Sequence, residues 1–371
     1  MNHATRFVTS LLVAAISISV YGPESASAAS VKPQLHGLLY MGDIKFLWHP
    51  ETVPDNSLDK IKLVPAGTID GVVINVTWAQ LQPTPSDFVT TPIDDALNEV
   101  RDFNSQHPQS PLGVKLRVWQ TSAPDWAKNL DGASVTLVQV KNSEVRSKTV
   151  GRFWSAKYDL SWHRLQTQLA DKYDSEALIR EVTNTSCSSL TDEPFNVDGD
   201  QEAIQNMLRA GFTDDAYRNC LIKSANDYDG WHTTSIDFAI ANYRRIGSGR
   251  QVADPEVVVQ IIKAFRTALG GRAILSNHAL ADPRSLASRG LTPVMDEIKQ
   301  FGPPIEFQTA NPNAAWLQGG QLNWEETIGY GRSLGATAIE VWGCCRGSGF
   351  ESMQPAKLQA WSAALKSNAL R

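Results

Sequence analysis

The chain has 371 residues, of which 34 are lysine or arginine and 39 are aspartate or glutamate, giving a formal net charge of −5. This balance argues against a nucleic-acid-binding protein, because such proteins need a basic face that neutralises phosphates. The hydrophobic fraction of 42% and the charged fraction of 20% are those of a globular chain, which excludes disordered and fibrous proteins.

The first 28 residues have the pattern of a secretory signal peptide. Arg6 precedes an apolar run over residues 7–20, and the small residues 26–28 (Ala-Ser-Ala) follow it. The run is shorter than the roughly 20 residues that cross a bilayer. We therefore predict cleavage after Ala28, a mature domain over residues 29–371, and a secreted or periplasmic protein that has no membrane anchor once the leader is removed.

Four cysteines in an exported chain are most simply explained by two disulfides. Cys187, Cys220, Cys344 and Cys345 allow three pairings, among which the sequence does not choose. We expect Cys187 to pair with Cys220, which leaves Cys344 and Cys345 as a vicinal bridge or as free thiols. The sequence contains no Cys-x-x-Cys motif and no histidine pair at ligand spacing, so we expect no metal site and no cofactor.

Short apolar runs alternate with helical patterns along the rest of the chain, and this alternation predicts a parallel α/β sheet. The predicted strands cover residues 35–41, 71–78, 114–119, 178–183, 234–239, 273–276, 305–308 and 337–342. The predicted helices cover residues 94–103, 160–173, 201–210, 255–269, 293–301, 324–334 and 355–366. Eight such units predict a single (β/α)8 TIM barrel. A doubly wound open sheet is the alternative, but no Gly-x-Gly-x-x-Gly motif follows the first strand.

Two insertions account for the additional length of the chain. Residues 132–148 alternate apolar and polar side chains, which predicts an inserted hairpin after the third strand. Residues 187–228 form a long loop after the fourth strand. No linker and no internal repeat interrupts the pattern, so we predict one domain after the leader.

Tryptophans concentrate at the carboxyl-terminal ends of the predicted strands, where TIM-barrel enzymes have their active sites. Trp78, Trp119 and Trp342 end the second, third and eighth strands, and Trp126 follows the third. An indole ring offers a flat platform for the C–H face of a sugar, so this distribution indicates a carbohydrate-binding mouth. The alternative is that each indole is a lid that packs over the core.

Two of these segments resemble the (β/α)8 glycoside hydrolases of clan A. Residues 78–83 (Trp-Ala-Gln-Leu-Gln-Pro) are similar to the Trp-x-x-Leu-Glu-Pro element after the second strand of those enzymes. Residues 123–126 (Ala-Pro-Asp-Trp) are similar to their Pro-x-Trp element after the third strand, and Trp342 falls where they keep a tryptophan under the sugar. The resemblance implies a hydrolase of O-glycosyl bonds that acts on a poly- or oligosaccharide, with its family within the clan unassigned.

The chain departs from clan A at both catalytic positions. The resemblance implies an Asn-Glu pair at the end of the fourth strand and a nucleophilic glutamate at the end of the seventh, where this chain has Asn184-Thr185 and Gln308. Glycosidic cleavage usually needs two carboxyl groups. Residues 192–194 (Asp-Glu-Pro) resemble a displaced copy of Asn-Glu-Pro, which makes Glu193 the candidate acid/base. A solvated turn is the alternative interpretation of this segment.

Glu340 is our first candidate for the second carboxyl group, and Glu306 is the second. Glu340 lies in an otherwise apolar strand and shares side-chain parity with Trp342, so we expect it to point into the barrel mouth. Glu306 has the parity of Gln308 but lies one layer deeper. A buried ion pair is an equally good interpretation of either acid.

Polar side chains suited to sugar hydroxyls also follow several strands, namely Asn184, His278 and Gln308. Two hypotheses result: a glycoside hydrolase, or a barrel that binds carbohydrate without cleaving it. Thr185 and Gln308 at the expected carboxylate positions motivate the second hypothesis. Under both, the partner is a carbohydrate rather than a nucleic acid, and we expect a monomer.

Overall fold

The computed structural model describes residues 30–42, 57–62, 64–141, 144–191, 193–195, 201–342 and 353–370. The predicted leader, Asp192 and the neighbouring Cys344 and Cys345 lie outside the described residues. Val31–Arg371 form one compact unit.

Eight parallel strands form a barrel and confirm the predicted fold class. They are β1 (Gly37–Met41), β2 (Ile69–Thr77), β3 (Gly113–Trp119), β4 (Ile179–Asn184), β5 (Ser235–Ala239), β6 (Ala273–Ser276), β7 (Glu306–Gln308) and β8 (Ala338–Trp342). Their hydrogen-bonded order is β6-β5-β4-β3-β2-β1-β8-β7. The Leu275 N–H donates to the Pro304 carbonyl at 3.1 Å, and Leu275 bridges Ile305, so β6 and β7 complete the ring.

At least one α-helix follows each strand in the described part of the chain. The α-helices are Ser57–Ile61, Trp78–Leu81, Thr91–Gln106, Asp125–Lys128, Ala156–Tyr173, Gln201–Arg209, Asp214–Lys223, Pro255–Leu269, Pro283–Ser288, Thr292–Phe301, Trp324–Ser333 and Pro355–Asn368. In Pro255–Leu269, Val258, Ile261 and Phe265 are buried on one face, as the apolar spacing predicts. None of the described helices is long and apolar enough to span a membrane.

The two predicted insertions occur after β3 and β4. Val135–Lys141 and Glu144–Val150 pair antiparallel where the sequence predicts a hairpin. The predicted loop after β4 contains a helix that the sequence pattern did not indicate, Asp214–Lys223, whose first turn is capped by the Thr213 side chain. The expected disulfide between Cys187 and Cys220 is confirmed, and it ties the beginning of this excursion to that helix.

The barrel interior contains a small apolar layer toward the amino-terminal ends of the strands. Leu35, Leu39 and Ala338 form a small buried cluster there, separate from the large apolar core between the barrel and its helices. The Leu35 N–H donates to Glu181 Oε1 at 2.7 Å, so the segment before β1 closes this end of the barrel. The interior above this cluster is built mainly from charged and amide side chains, and Met41 also lies there, with its Sδ 3.4 Å from Arg117 Nη1.

Candidate functional site

Inward-pointing side chains of β2, β3 and β7 meet at the carboxyl-terminal mouth of the barrel. Successive side chains of a strand alternate between the two faces, and Asn75 is the register partner of the inward-pointing Arg117. Trp119 is the next inward position along β3. Trp119 keeps 9% of its surface exposed, and Asn75, His278 and Gln308 keep 6% each. These side chains are therefore almost completely buried, and each keeps a small part of its surface exposed at the mouth.

Lys115 lies at the centre of a buried cluster of acids below these side chains. Its Nζ lies 2.9 Å from Glu340 Oε1 and also contacts Glu306. Its distance is 3.5 Å to Glu181 Oε2 and 3.4 Å to Asp237 Oδ2. Four acids from four different strands thus surround one ammonium group.

Arg117 connects this charged layer to the mouth. Its Nη2 donates to both carboxylate oxygens of Glu340, each at 2.8 Å. Its Nη1 donates to Gln308 Oε1 at 3.0 Å. A planar guanidinium bonded to both groups fixes the orientation of the Glu340 carboxylate and of the Gln308 amide.

The cluster shifts the pKa values of its two candidate catalytic acids, Glu306 and Glu340, in opposite directions. Burial, together with the charge of Glu181, raises the pKa of Glu306 well above its ordinary value. Burial alone would also raise the pKa of Glu340, but the charges of Arg117 and Lys115 outweigh it and lower that pKa. Burial thus favours the protonated form of Glu306, whereas the two cations favour the ionised form of Glu340.

Asp237, His278 and Glu340 have the spacing of a metal site, with ligand atoms within 4.8 Å of one another. The Lys115 ammonium, however, lies 3.4 Å from Asp237 and 2.9 Å from Glu340. An ammonium group already compensates these carboxylates, and a divalent ion beside it would be repelled. We interpret the three residues as part of the ion-pair cluster.

Two of the four predicted tryptophans end strands at the mouth. Trp119 Nε1 donates to Asn75 Oδ1 at 3.1 Å, and Trp342 Nε1 donates to the Thr309 carbonyl at 2.8 Å. These bonds fix the planes of both indoles. Trp342 is half-buried and keeps part of its surface open.

Trp78 and Trp126 belong instead to an aromatic cluster beside the barrel. Trp78 is completely buried, and its ring centroid lies 5.8 Å from Trp126, 5.2 Å from Tyr158 and 5.2 Å from Trp162. Trp78 therefore has no surface to offer a sugar. Trp126 is half-buried, and its Nε1 donates to the Gln82 carbonyl at 3.0 Å.

Asn184 and Thr185 are both buried where β4 ends. Asn184 Nδ2 donates to Ser224 Oγ at 2.9 Å, and Asn184 Oδ1 accepts from the Ser186 N–H at 3.0 Å. Thr185 Oγ1 donates to the Val118 carbonyl at 2.5 Å. These two side chains shape the beginning of the loop after β4, and the Asn184 amide has both of its ends bonded within the protein.

Glu193 lies on the loop after β4 and is half-buried. Thr191 Oγ1 donates to Glu193 Oε2 at 3.0 Å. The loop is attached on one side by the disulfide of Cys187 and on the other by Phe195, which is buried with its ring centroid 5.6 Å from that of Phe238 on β5. The Glu193 carboxyl group is thus carried by a braced segment on the carboxyl-terminal side of the barrel.

Sequence reasoning missed Lys115 and Asn75. Lys115 and Arg117 occupy alternate positions of one apolar strand, so both must point to the same face. Two cations on the inward face imply buried acids that pair with them. This pattern in the sequence could have indicated that Glu340 forms an ion pair inside the barrel. Asn75 carries no comparable signal, because a single amide in a strand has many explanations.

The fold is similar to that of solved glycoside hydrolases. Endo-glycoceramidase II from Rhodococcus sp. matches with a TM-score of 0.53 and 14% identity, over 90% of this chain and 80% of that chain. GH5_18 from Bifidobacterium longum subsp. longum matches with a TM-score of 0.52 and 14% identity, over 89% of this chain and 79% of that chain. No family model and no curated protein matches the chain. The resemblance to the (β/α)8 glycoside hydrolases is thus confirmed at the level of the fold.

Proposed function

We propose that the chain is a secreted glycoside hydrolase that binds a poly- or oligosaccharide at the barrel mouth. The observation that carries the proposal is the meeting of two fixed indoles, Trp119 and Trp342, with the amides of Asn75 and Gln308 at the strand ends. Indoles pack against the C–H faces of sugars, and amides bond their hydroxyls. Fold neighbours support this choice, since one is described as a lactosyl-enzyme intermediate and another as a complex with Manb1-4GlcNAc.

Export of the protein is part of the same proposal. Residues 1–28 have the signal-peptide pattern, and the Cys187–Cys220 disulfide suits an oxidising compartment. A secreted or periplasmic location gives access to extracellular glycans.

Glu193 is the proposed general acid. It would protonate the leaving glycosidic oxygen as the bond to the anomeric carbon breaks. Its half-buried position on a braced loop supports this role, because a positioned acid needs a fixed carboxyl group with one face open to substrate.

Glu340 remains the first proposal for the second carboxyl group, and Glu306 the second. Either would act as a nucleophile at the anomeric carbon or would activate a water. Both oxygens of Glu340 accept from Arg117, and Oε1 also accepts from Lys115, so these cations would weaken Glu340 as a nucleophile or base. Burial raises the pKa of Glu306 well above its ordinary value, and this disfavours the ionised form that either role needs.

The Glu193→Gln variant tests the proposal. The amide keeps the shape of the side chain but carries no acidic proton, so we expect the rate of glycan cleavage to fall roughly 10²- to 10⁴-fold. The assay is the release of new reducing ends from a panel of plant, fungal and bacterial wall glycans. Glu202→Gln is the matched control, because it makes the same change at an exposed position of the helix Gln201–Arg209. Cleavage by Glu193→Gln at the rate of this control would remove Glu193 from the mechanism.

Binding without cleavage is the second candidate function. Thr185 and Gln308 favour it, because neither can supply the carboxyl group that the clan A resemblance implies at its position. The ion pairs that engage Glu340 favour it as well. Glycan binding by the wild-type protein without release of reducing ends from any member of the panel would select this candidate.

A further inference from the structure

We propose that the amide nitrogens of Asn75 and Gln308 form a floor in the barrel mouth that only donates hydrogen bonds, and that this floor recognises acceptor oxygens of the bound saccharide. The inference rests on the proposed saccharide site. It adds which atoms of the protein select the ligand and which property of the ligand they require.

The neighbours of the two amides fix their orientation. Trp119 Nε1 and Arg117 Nη1 are donors that cannot accept a hydrogen bond. The Asn75 atom 3.1 Å from Trp119 and the Gln308 atom 3.0 Å from Arg117 must therefore be the carbonyl oxygens. Each NH2 group is the end of the amide that remains for a ligand.

Both NH2 groups are available in the described part of the chain. Asn75 Nδ2 and Gln308 Nε2 have no hydrogen-bond partner among the described residues, yet neither belongs to the buried polar atoms that lack one, so both reach solvent. Asn277 differs from these two residues, because both ends of its amide are bonded within the protein. Its Nδ2 donates to the Ile240 carbonyl at 2.7 Å, and its Oδ1 accepts from the Ala279 N–H at 2.9 Å.

A donor-only floor restricts what binds above it. Two NH2 groups are satisfied by hydroxyl, ring or carboxylate oxygens of a saccharide, all of which accept hydrogen bonds. A ligand that covers the floor without such oxygens leaves the donors desolvated and unpaired, which is costly. Asn75 and Gln308 are therefore specificity-determining residues, and Trp119 and Arg117 are the groups that orient them.

The isosteric acids Asn75→Asp and Gln308→Glu test this inference. Each keeps the oxygen that accepts from Trp119 or Arg117 and replaces the NH2 donor by an acceptor. The probes are cellohexaose, mannohexaose, laminarihexaose and N-acetylchitohexaose, titrated calorimetrically into the wild-type protein, and the tightest of them is used for the variants. We expect each variant to bind it roughly tenfold or more weakly, since a donor is lost and two acceptors face each other.

Asn98→Asp is the matched control, because Asn98 is exposed on the helix Thr91–Gln106 and its Oδ1 also accepts from an arginine, Arg101, at 2.8 Å. Wild-type affinity in Asn75→Asp and Gln308→Glu would overturn the donor floor and leave the saccharide site standing. Binding of none of the probes by the wild-type protein would overturn both. If the charge added by Gln308→Glu beside Glu340 prevents folding, Asn75→Asp alone decides.

Discussion

Lys115 supplies the ammonium group that compensates the buried acids inside the barrel. Its Nζ is surrounded by carboxyl groups of Glu181, Asp237, Glu306 and Glu340, all buried. Burial would lower the pKa of Lys115, but these acids hold it well above its ordinary value. Lys115 and Arg117 are two cations against four acids, and protonation of Glu306, which burial favours, brings the cluster closer to neutrality.

Glu340→Gln and Glu306→Gln form a matched pair that tests this charge distribution. Glu340→Gln removes a carboxylate that pairs with two buried cations, so we expect the free energy of unfolding to fall by about 3–5 kcal/mol. Burial favours the neutral form of Glu306, so we expect the neutral glutamine in Glu306→Gln to change the free energy of unfolding by no more than about 1 kcal/mol. Urea unfolding followed by tryptophan fluorescence at neutral pH measures both. Equal losses in the two variants would contradict the opposite pKa shifts of Glu306 and Glu340.

The raised pKa of Glu306 predicts that the stability of the protein depends on pH. Because the pKa of Glu306 is raised in the folded protein, the stability that this group contributes is complete below its unfolded pKa and is lost as the pH rises toward the folded pKa. Glu306→Gln has no proton to lose. Its stability relative to the wild-type protein should therefore increase as the pH rises from about 4.3 through the neutral range in urea titrations. A difference that stays constant over this range would show that Glu306 does not titrate in this way.

At the scale of single elements, the segment before β1 is a plug for the amino-terminal end of the barrel. Leu35 is completely buried and contacts the beginning of β2 and β3 at Gly71 and Gly113. A Cβ on Gly113 would lie 2.5 Å from Leu35 Cδ2 and 2.9 Å from Arg180 Nε. Glycine at this position therefore makes room for the plug.

Gly113→Ala and Gly329→Ala test the plug. We expect Gly113→Ala to lower the free energy of unfolding by about 1–3 kcal/mol, because the added methyl group overpacks a closed site. Gly329 is exposed in the helix Trp324–Ser333, with nothing within 4 Å of an added Cβ. We expect Gly329→Ala to raise the free energy by about 0.5–1 kcal/mol. Thermal unfolding of both variants gives the comparison, and a neutral Gly113→Ala would mean that Leu35 does not seal the barrel.

The disulfide is the second element whose contribution to the free energy of unfolding can be measured. Cys187 and Cys220 are separated by 33 residues, and their bridge restricts the unfolded chain across the excursion that carries Glu193. Replacing both cysteines with serine should lower the free energy of unfolding by about 2–5 kcal/mol. Urea unfolding of the double variant, compared with the wild-type protein under non-reducing conditions, measures this difference. An unchanged transition midpoint would show that the bridge adds nothing to stability.

At the scale of the whole molecule, the alternation of strands and helices was enough to predict the barrel. The positions of individual side chains depended on where each strand ends. The sequence pattern extends the second strand to residue 78, but β2 ends at Thr77, whose side chain accepts from the Gln80 N–H and caps the helix Trp78–Leu81. This cap turns Trp78 into the core, whereas Trp119 and Trp342 end their strands as the pattern predicts.

The acids show a different limit of sequence reasoning. Side-chain parity correctly predicted that Glu340 points inward, because alternation is a local property of a strand, but its carboxylate is buried in the ion-pair cluster below the mouth and not in the mouth itself. Its partners Lys115 and Arg117 come from a strand more than 200 residues away, and only the three-dimensional register reveals that they bond it. Local patterns therefore predicted the face of each residue but not the charges that it meets there.

A crystal structure with a bound oligosaccharide tests the central claim most directly. If the mouth is a glycosidase site, the sugar lies against Trp119 and Trp342, and a Glu193 carboxyl oxygen lies about 3 Å from a glycosidic oxygen. A saccharide seated away from these indoles, or a Glu193 side chain too distant to reach the glycosidic oxygen directly or through one water, would contradict the proposed enzyme.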